Sequence, residues 1–327
     1  MTTSPTIVSI VAGGAGFIGA NLVPRLIERG HAVVVADNFS RGTRDNLGPL
    51  LEHPAVKIIQ CDLSERSATE ALFTFAQSVG QVSEVWHLAA NSDIPAGVKD
   101  CDVDFKDTFR TTFELLRAMQ IHEVRNLHFA SSSAIYGDLG EATLHEAIGP
   151  LLPISNYGAM KLASEAQASA AAESFLDRVN LFRFPNVVGV PATHGVLLDF
   201  VNKLIATPQE LQVLGDGTQQ KAYLHVSDLV GAMLAIRDRA ITGKTEVINI
   251  GPTDAGVTVK WIAEQVVARV SPNARIVYGK GNKGWVGDVP KFNYSTQRLQ
   301  STGWVPKLGS AAAIELSIHQ IALQRGV

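Results

Sequence analysis

Tyr157 and Lys161 carry side chains suited to acid–base chemistry. They stand four residues apart in a segment with helical spacing of apolar residues, which places both on one face of a helix. A lysine cation beside a phenol stabilises the phenolate and lowers its pKa toward the range of a general base. Three serines, Ser131, Ser132 and Ser133, end a predicted strand and could bind a substrate hydroxyl. These residue types together predict proton abstraction from a hydroxyl group.

A glycine-rich turn at residues 13–19, with the sequence GGAGFIG, joins a predicted strand to a predicted amphipathic helix. Gly13 permits a tight turn, Gly16 lets backbone N–H groups approach a pyrophosphate, and Gly19 lets the helix pack closely against the strand. An ordinary turn that needs a positive φ angle would also use glycine. Because a strand precedes this turn and a helix follows it, we interpret it as a dinucleotide site.

Two acids end the next predicted strands. Asp37 stands where an acid would bind the adenosine ribose hydroxyls, which favours NAD over NADP. Arg41 and Arg44 follow closely and leave NADP open, unless they form a solvated basic loop. Asp62 could accept a hydrogen bond from the adenine amino group, or it could cap the helix that follows.

The elements that must position these residues alternate between β-branched runs and longer helical patterns, which is typical of a doubly wound parallel sheet, the α/β Rossmann fold. The predicted strands are residues 6–12, 31–36, 56–60, 84–89, 126–131 and 179–184, and the predicted helices are 17–29, 66–79, 103–120 and 156–176. We expect residues 1–184 to form the cofactor-binding domain with the catalytic residues. Residues 185–327 should form a smaller α/β substrate-binding region, interleaved with the first domain.

Composition limits the remaining function classes. The chain has 327 residues, of which 46% are hydrophobic and 18% charged, so it is too apolar for disorder. Its net charge of −3 and dispersed basic residues give no electrostatic footprint for nucleic acid. We see no membrane span or signal peptide and expect a cytoplasmic protein. Cys61 and Cys101 cannot build a disulfide framework, and no residue grouping has the spacing of metal ligands.

The ordered motifs resemble the extended short-chain dehydrogenase/reductases, and within them the NAD-dependent nucleotide-sugar epimerase/dehydratase family typified by UDP-glucose 4-epimerase. The matching segments are residues 13–19, 37–38, 61–63, 87–90, 131–137, 157–161, 183–189, 215–219 and 223–228. The resemblance implies that Tyr157 takes a proton from a sugar hydroxyl with help from Ser132, while a hydride passes to NAD and returns to the opposite face. Ser133-Ala134 stands where the dehydratases carry acids, so C4 epimerisation of a UDP-hexose through a 4-keto intermediate is favoured.

The resemblance also assigns binding residues. Those expected at the cofactor are Gly13, Gly16, Phe17, Ile18, Gly19, Asp37, Asn38, Asp62, Leu63, Leu88, Ala89, Ala90, Tyr157 and Lys161. Those expected at the nucleotide sugar are Asn91, Ser132, Ser133, Asn186, Leu211, Val213, Lys221 and Asp288. Without it, Asn91 could form an Asx turn, Asn186 could bind backbone, and Leu211 and Val213 would be a buried strand.

Three departures from the family pattern concern substrate binding. Lys221 and Trp285 replace arginines of the family, so binding of the diphosphate needs either another donor such as Lys283 or a different pose of the substrate. Thr108 replaces an asparagine that braces the site.

The family's dimers use helices that match residues 103–120 and 156–176, so we expect a homodimer, although a monomer core could use the same apolar faces. Three other functions stay open. They are C4 epimerisation of a UDP-uronic acid, net NAD-linked oxidation of a nucleotide sugar, and a non-catalytic NAD-binding regulator.

Overall fold

The computed structural model describes residues 5–140, 142–240, 242–281 and 293–327. The strands in these residues are β1 (Ile7–Ala12), β2 (Ala32–Asp37), β3 (Val56–Gln60), β4 (Gln81–His87), β5 (Asn126–Ala130), β6 (Thr143–Leu144), β7 (Arg178–Arg183), β8 (Asn186–Val188), β9 (Glu210–Val213), β10 (Gln220–Lys221), β11 (Tyr223–His225), β12 (Thr245–Asn249), β13 (Val257–Thr258), β14 (Arg275–Tyr278) and β15 (Asn293–Tyr294).

The α-helices are α1 (Phe17–Ile27), α2 (Arg66–Val79), α3 (Ile94–Lys99), α4 (Cys101–Asp104), α5 (Thr111–Ile121), α6 (Asn156–Ser174), α7 (Val196–Ala206), α8 (Val226–Asp238), α9 (Val259–Val270), α10 (Gln297–Gln300) and α11 (Ser310–Arg325). A π-helical turn, Phe105–Arg110, joins α4 to α5. Segments Arg44–Glu52 and Ser133–Tyr136 form 3₁₀ turns.

The first compact unit comprises the described residues of Met1–Gly137, Leu151–Arg183 and Ile236–Ile248. Its seven-stranded sheet has the order β12-β7-β5-β4-β1-β2-β3. The pairs from β7 to β3 are parallel, and the strand centres are buried, as expected for β-branched runs covered by helices on both faces. The carboxyl ends of these strands carry the glycine turn, Asp37 and the serines. The predicted doubly wound fold is confirmed.

Two features of this unit differ from the prediction. The sheet gains a seventh strand, β12. Its five residues lie within the irregular region predicted for residues 185–327, and their apolar pattern is too weak to predict a strand. The helix predicted at residues 103–120 is instead α4, the π-helical turn and α5, and the short α3 precedes it. Apolar periodicity does not distinguish these helical types, because all of them present side chains at similar spacing.

The second compact unit comprises the described residues of Asp138–Pro150, Phe184–Ala235 and Asn249–Val327. It contains two-stranded sheets: β8 with β11 and β9 with β14 are parallel, whereas β10 with β13 is antiparallel. Its hydrophobic core is formed by side chains of α7, α9, α11 and β9. In the described parts of both units, no helix combines the length and the apolar character needed to cross a membrane.

Candidate active site

The start of α6 is built to bring Tyr157 against the serines that follow β5. Ser155 caps the helix by accepting a hydrogen bond from Gly158 N at 3.1 Å. A Cβ atom on Gly158 would lie 2.5 Å from Ala134 O, so only glycine lets the helix approach the Ser133–Tyr136 turn this closely. This packing places Tyr157 beside Ser132.

A hydrogen bond joins Ser132 to Tyr157. The Ser132 Oγ accepts from Ala134 N at 3.1 Å, and its hydroxyl donates to the Tyr157 oxygen. Burial raises the pKa of Tyr157 to about 12, and the bond from Ser132 opposes this effect by favouring the phenolate. The serine at position 132 is therefore placed to assist deprotonation of the phenol.

Lys161 lies one helical turn beyond Tyr157 and is only 2% exposed. Its Nζ donates to Ala130 O at 2.6 Å and lies 5.9 Å from the Tyr157 ring centroid. Burial lowers the pKa of Lys161 to about 7, while the negative charges of Glu165 and Asp104 act in the opposite direction. An ammonium group with this pKa sits near the balance between its charged and neutral forms at neutral pH.

A buried ion pair fixes the next turn of α6. Arg183 Nη2 lies 2.6 Å from Glu165 Oε2, and Arg183 Nη1 donates to the Tyr136 hydroxyl at 3.1 Å. The bond from Arg183 binds α6 to β7 and to the turn that carries Ser132. It therefore supports the relative positions of Ser132, Tyr157 and Lys161.

The glycine turn is packed so closely against neighbouring backbone that Gly13 and Gly19 have no space for a side chain. Gly13 has φ +78°, and a Cβ atom there would lie 2.7 Å from Ala89 N. A Cβ atom on Gly19 would lie 2.5 Å from Gly14 Cα, so α1 packs directly on the turn. Gly16 is the N-cap of α1 and gives it no side-chain cap. Phe17 and Ile18 begin the helix, whose N–H groups face the turn. These features fit a dinucleotide pyrophosphate.

Asp37 stands at the end of β2, as predicted. Its carboxylate accepts from Ala15 N at 3.0 Å and from Phe39 N at 2.9 Å, which links it to the glycine turn. Burial raises the pKa of Asp37, and both backbone bonds oppose that change. Asn38 is exposed, and its Oδ1 accepts from Ser40 N.

The two basic residues that left NADP open both have partners. Arg41 Nη2 lies 2.8 Å from Asp93 Oδ2, and the Arg44 guanidinium lies 5.0 Å from the Phe39 ring centroid. Both groups are thus engaged within the loops that surround the glycine turn, beside a carboxylate at Asp37 that would repel a 2′-phosphate. This arrangement fits NAD.

The remaining cofactor candidates follow β3 and β4. Asp62 Oδ1 accepts from Ser64 N and Oγ, and its Oδ2 lies 3.1 Å from Lys106 Nζ. The alternative that Asp62 caps α2 is wrong, because Glu65 is the N-cap and the helix begins at Arg66. Leu63 is buried beside it. Leu88, Ala89 and Ala90 directly follow β4, and Leu88 N donates to Ala12 O.

Asn91 forms the Asx turn that was one alternative. Its Oδ1 accepts from Asp93 N at 2.9 Å, and its Nδ2 donates to Asp93 O and to Asp104 Oδ1, both at 2.9 Å. Asn91 N donates to Thr108 Oγ1 at 3.1 Å. A fully buried acid, Asp104, thus belongs to this region. No pattern in the sequence singles out Asp104, because its burial follows from the irregular geometry of the helical turn after it.

The other substrate candidates belong to the second unit. Asn186 Nδ2 is 3.4 Å from Ala222 O, a weak bond to backbone. Leu211 and Val213 are 0% and 3% exposed, within the unit's core. Lys221 lies in β10, paired with Val257. The candidates Lys283, Trp285 and Asp288 lie outside the described residues.

Comparisons with known proteins agree with this geometry. The model of the NAD dependent epimerase/dehydratase family matches residues 9–251. A putative UDP-glucose 4-epimerase from Methanocaldococcus jannaschii is 26% identical over 315 residues, which cover 95% of this chain and 97% of that protein. Two solved structures share a TM-score of 0.84, and in each case the match covers 97% of this chain and 99% of theirs. They are a UDP-galactose 4-epimerase at 33% identity and a Thermotoga maritima UDP-glucose 4-epimerase with UDP-glucose at 26%.

The matched residues include the glycine turn, Ser132, Tyr157 and Lys161, and they extend over most of the chain. The chain therefore belongs to the NAD dependent epimerase/dehydratase family.

Proposed function

We propose that this protein is an NAD-dependent nucleotide-sugar epimerase that inverts C4 of a UDP-hexose. The observation that carries the proposal is the Ser132–Tyr157 hydrogen bond with Lys161 one helical turn away, at the carboxyl edge of a sheet whose glycine turn fits a dinucleotide. The relatives named as UDP-glucose and UDP-galactose 4-epimerases cover nearly the whole chain and support the choice of substrate.

In this mechanism the chain's own residues bind and move a proton. Tyr157 takes the proton of the sugar 4-hydroxyl, and Ser132 holds both oxygens by hydrogen bonds. Lys161 would hold the nicotinamide ribose, and the N-terminus of α1 with the glycine turn would hold the pyrophosphate. NAD would supply a reversible hydride acceptor and a positive charge that opposes the effect of burial on the pKa of Tyr157.

The residue after Ser132 favours epimerisation over dehydration. Expulsion of water from the sugar ring needs a carboxylic acid and a base, and Ser133-Ala134 supplies neither. We assign Ser133 and Asn91 to the sugar, Asn186 and Lys221 to the diphosphate, and the strand that holds the buried Leu211 and Val213 to the nucleotide base, with Asp288 as a further substrate-binding residue. Lys221 is a point charge rather than a bidentate fork, so phosphate binding relies on several donors.

We also propose that the enzyme is a homodimer. Large apolar side chains are exposed along the predicted dimer helices: Phe105 is 50% and Phe113 42% exposed. The rings of Phe105 and Phe109 lie 6.1 Å apart, so they extend one aromatic surface. A second copy of the chain would cover this surface by symmetry.

The function is tested by incubating the purified protein with NAD+ and UDP-, GDP-, CDP- and dTDP-hexoses, with UDP-uronic acids in a parallel set. The expected result is the 4-epimer of a UDP-hexose, identified by chromatography and NMR, without accumulation of NADH. Selective turnover of UDP-uronic acids, or stoichiometric NADH, would replace the proposal by one of the other enzymatic functions. NAD+ binding without turnover of any sugar would indicate the regulator.

The catalytic assignment has its own variant. Tyr157→Phe should lower the turnover rate about a hundred-fold or more, because the proton acceptor is lost, and should leave NAD+ binding largely intact. Tyr294→Phe makes the same chemical change in β15, which pairs with β6 and holds none of the predicted site residues, and serves as the control. A wild-type rate in Tyr157→Phe would disprove the role of this tyrosine.

A further inference from the structure

The π-helical turn Phe105–Arg110 packs against α6, the helix that carries Tyr157 and Lys161, and the residue before it is a buried acid. Asp104 is 0% exposed, and its Oδ1 accepts from Asn91 Nδ2 at 2.9 Å. Within the described part of the chain, Asp104 Oδ2 has no hydrogen-bond donor. A buried carboxyl oxygen without a donor costs free energy, so packing alone does not account for an acid at this position.

Gly97 contacts both this carboxyl group and the start of α6. A Cβ atom on Gly97 would lie 1.7 Å from Asp104 Oδ2, so the acid occupies the space that any side chain at this position would need. The Gly97 carbonyl accepts from Asn156 Nδ2 at 2.8 Å, and Asn156 directly precedes Tyr157. The carboxyl group is therefore packed beside the first turn of the catalytic helix.

The charge of Asp104 acts on both catalytic groups. It raises the pKa of Tyr157, on which burial is the larger effect in the same direction and the Ser132 bond acts in the opposite one. It also raises the pKa of Lys161, together with Glu165, against the larger lowering by burial. Asp104 therefore favours the ammonium form of the lysine and the neutral form of the phenol.

The surroundings of Asp104 come from three elements. Burial raises the pKa of its carboxyl group, while the hydrogen bond from Asn91 and the nearby Thr108 hydroxyl lower it. The negative charge of Asp107 in the π-helical turn raises this pKa further, and Lys161 on α6 lowers it. Thr108 occupies the position at which the family that this sequence resembles carries an asparagine. Asp104 lies four residues before this position.

We propose that Asp104 is an additional positioning residue of the active site, whose buried carboxyl group packs against Gly97 beside the first turn of α6 and acts by its charge on the Tyr157–Lys161 pair. Asp104 acts through these two residues and touches neither substrate nor cofactor. The inference rests on the proposed roles of Tyr157 and Lys161, but its test does not need turnover.

The test is an ultraviolet titration of the Tyr157 phenol in the full-length protein saturated with NAD+. The difference between the wild type and Tyr157→Phe isolates this one phenol, and the same difference is measured in the Asp104→Asn background. Asparagine keeps the oxygen that binds Asn91 and removes the charge. We expect the Tyr157 midpoint to fall by about one pH unit in Asp104→Asn. The matched control is Asp107→Asn, which removes a neighbouring carboxylate and should leave the midpoint unchanged.

The pH dependence of the turnover rate provides a second measurement. Because Asp104 raises the pKa of both catalytic groups, both limbs of the pH–rate profile should move to lower pH in Asp104→Asn. An unchanged titration midpoint with altered stability would show a merely structural role and overturn the inference. If Asp104→Asn fails to fold, Asp104→Ser removes the same charge with a smaller side chain and is judged by the same midpoint. Absent turnover with a shifted midpoint would count against the proposed function alone.

Discussion

At the scale of single residues, Lys161 illustrates how a buried residue of the proposed site affects the stability of the folded protein. The amine is buried, and its pKa is about 7 instead of the ordinary 10.5, because desolvation outweighs the attraction of Glu165 and Asp104. Between these two values the unfolded chain binds more protons than the native protein. The contribution of Lys161 to stability therefore increases as the pH rises from 7 toward 10.5, and the buried cation is least favourable below pH 7.

Lys161→Met tests this linkage. The variant removes the titrating amine. The free energy of unfolding of the wild type, minus that of the variant, should therefore increase by up to about 1.4 kcal/mol per pH unit between pH 7 and 10. Below pH 7 the variant should be the more stable protein, although it lacks activity. Urea unfolding of both proteins across this range measures the difference.

Lys106→Met provides the matched control for that experiment. Asp62 raises the pKa of Lys106, whose contribution to stability is therefore present at neutral pH and lost at high pH, the opposite direction. Because this lysine is exposed, its effect should be small. Parallel stability curves for the wild type and Lys161→Met would contradict the burial of a titrating amine.

At the scale of elements, the sequence predicted what depends on strong periodic patterns. Six strands of the main sheet and the helix that holds Tyr157 were found with small boundary errors. The missed elements have other causes: β12 is a five-residue strand whose place at the sheet edge depends on tertiary pairing, and the π-helical turn changes hydrogen bonding without changing the apolar pattern. Asp104 was missed with that turn, because its burial follows from the irregular geometry.

The proposed dimer surface is a property of these helices. Phe113→Glu places a charge on the exposed face of α5, where each of two symmetric copies would lose about 1.5–3 kcal/mol of buried apolar contact. The dimer dissociation constant should rise about a hundred-fold or more. Sedimentation equilibrium measures it.

A second exposed apolar residue provides the control for the general effect of adding a charge to the protein surface. Leu323, on α11, is 62% exposed, and Leu323→Glu should leave the dissociation constant unchanged. A monomeric wild type at all concentrations would remove the proposed dimer. Equal weakening by both variants would place the interface elsewhere.

At the scale of the whole molecule, the first unit combines the proposed active-site edge with a polar network inside its sheet. Glu84, in β4, accepts hydrogen bonds from Ser9 and Trp86 on its Oε1, both at 2.9 Å. Its Oε2 bonds to His128 at 3.2 Å and to Arg237 at 2.9 Å. This carboxylate, in the middle of β4, therefore links β1, β4 and β5 to Arg237 near the end of α8.

The network should make the molecule sensitive to acid. Burial alone would raise the pKa of Glu84, but the bond from His128 and the charge of Arg237 hold it well below its ordinary value. The Glu84 contribution to stability is thus present above about pH 4.5 and lost as the pH falls. Burial lowers the pKa of His128, so protonation of this histidine in the unfolded chain also favours unfolding below about pH 6.5.

Glu84→Gln tests the network as a unit. The amide cannot neutralise Arg237. Its NH₂ group would also face a side chain, Ser9 or His128, that itself donates a hydrogen bond. We therefore expect the free energy of unfolding to fall by about 3 kcal/mol at pH 7. The loss should begin to shrink as the pH falls to 4, because Glu84 starts to take up a proton in the unfolded chain below about pH 4.5 while the native carboxylate stays ionised. Thermal and urea unfolding at pH 7 and pH 4 measure both effects. The exposed pair of Arg25 and Glu28 offers the control, since Glu28→Gln should cost little. Equal stability of the two variants at pH 7 would show that the buried carboxylate does not hold the sheet to α8.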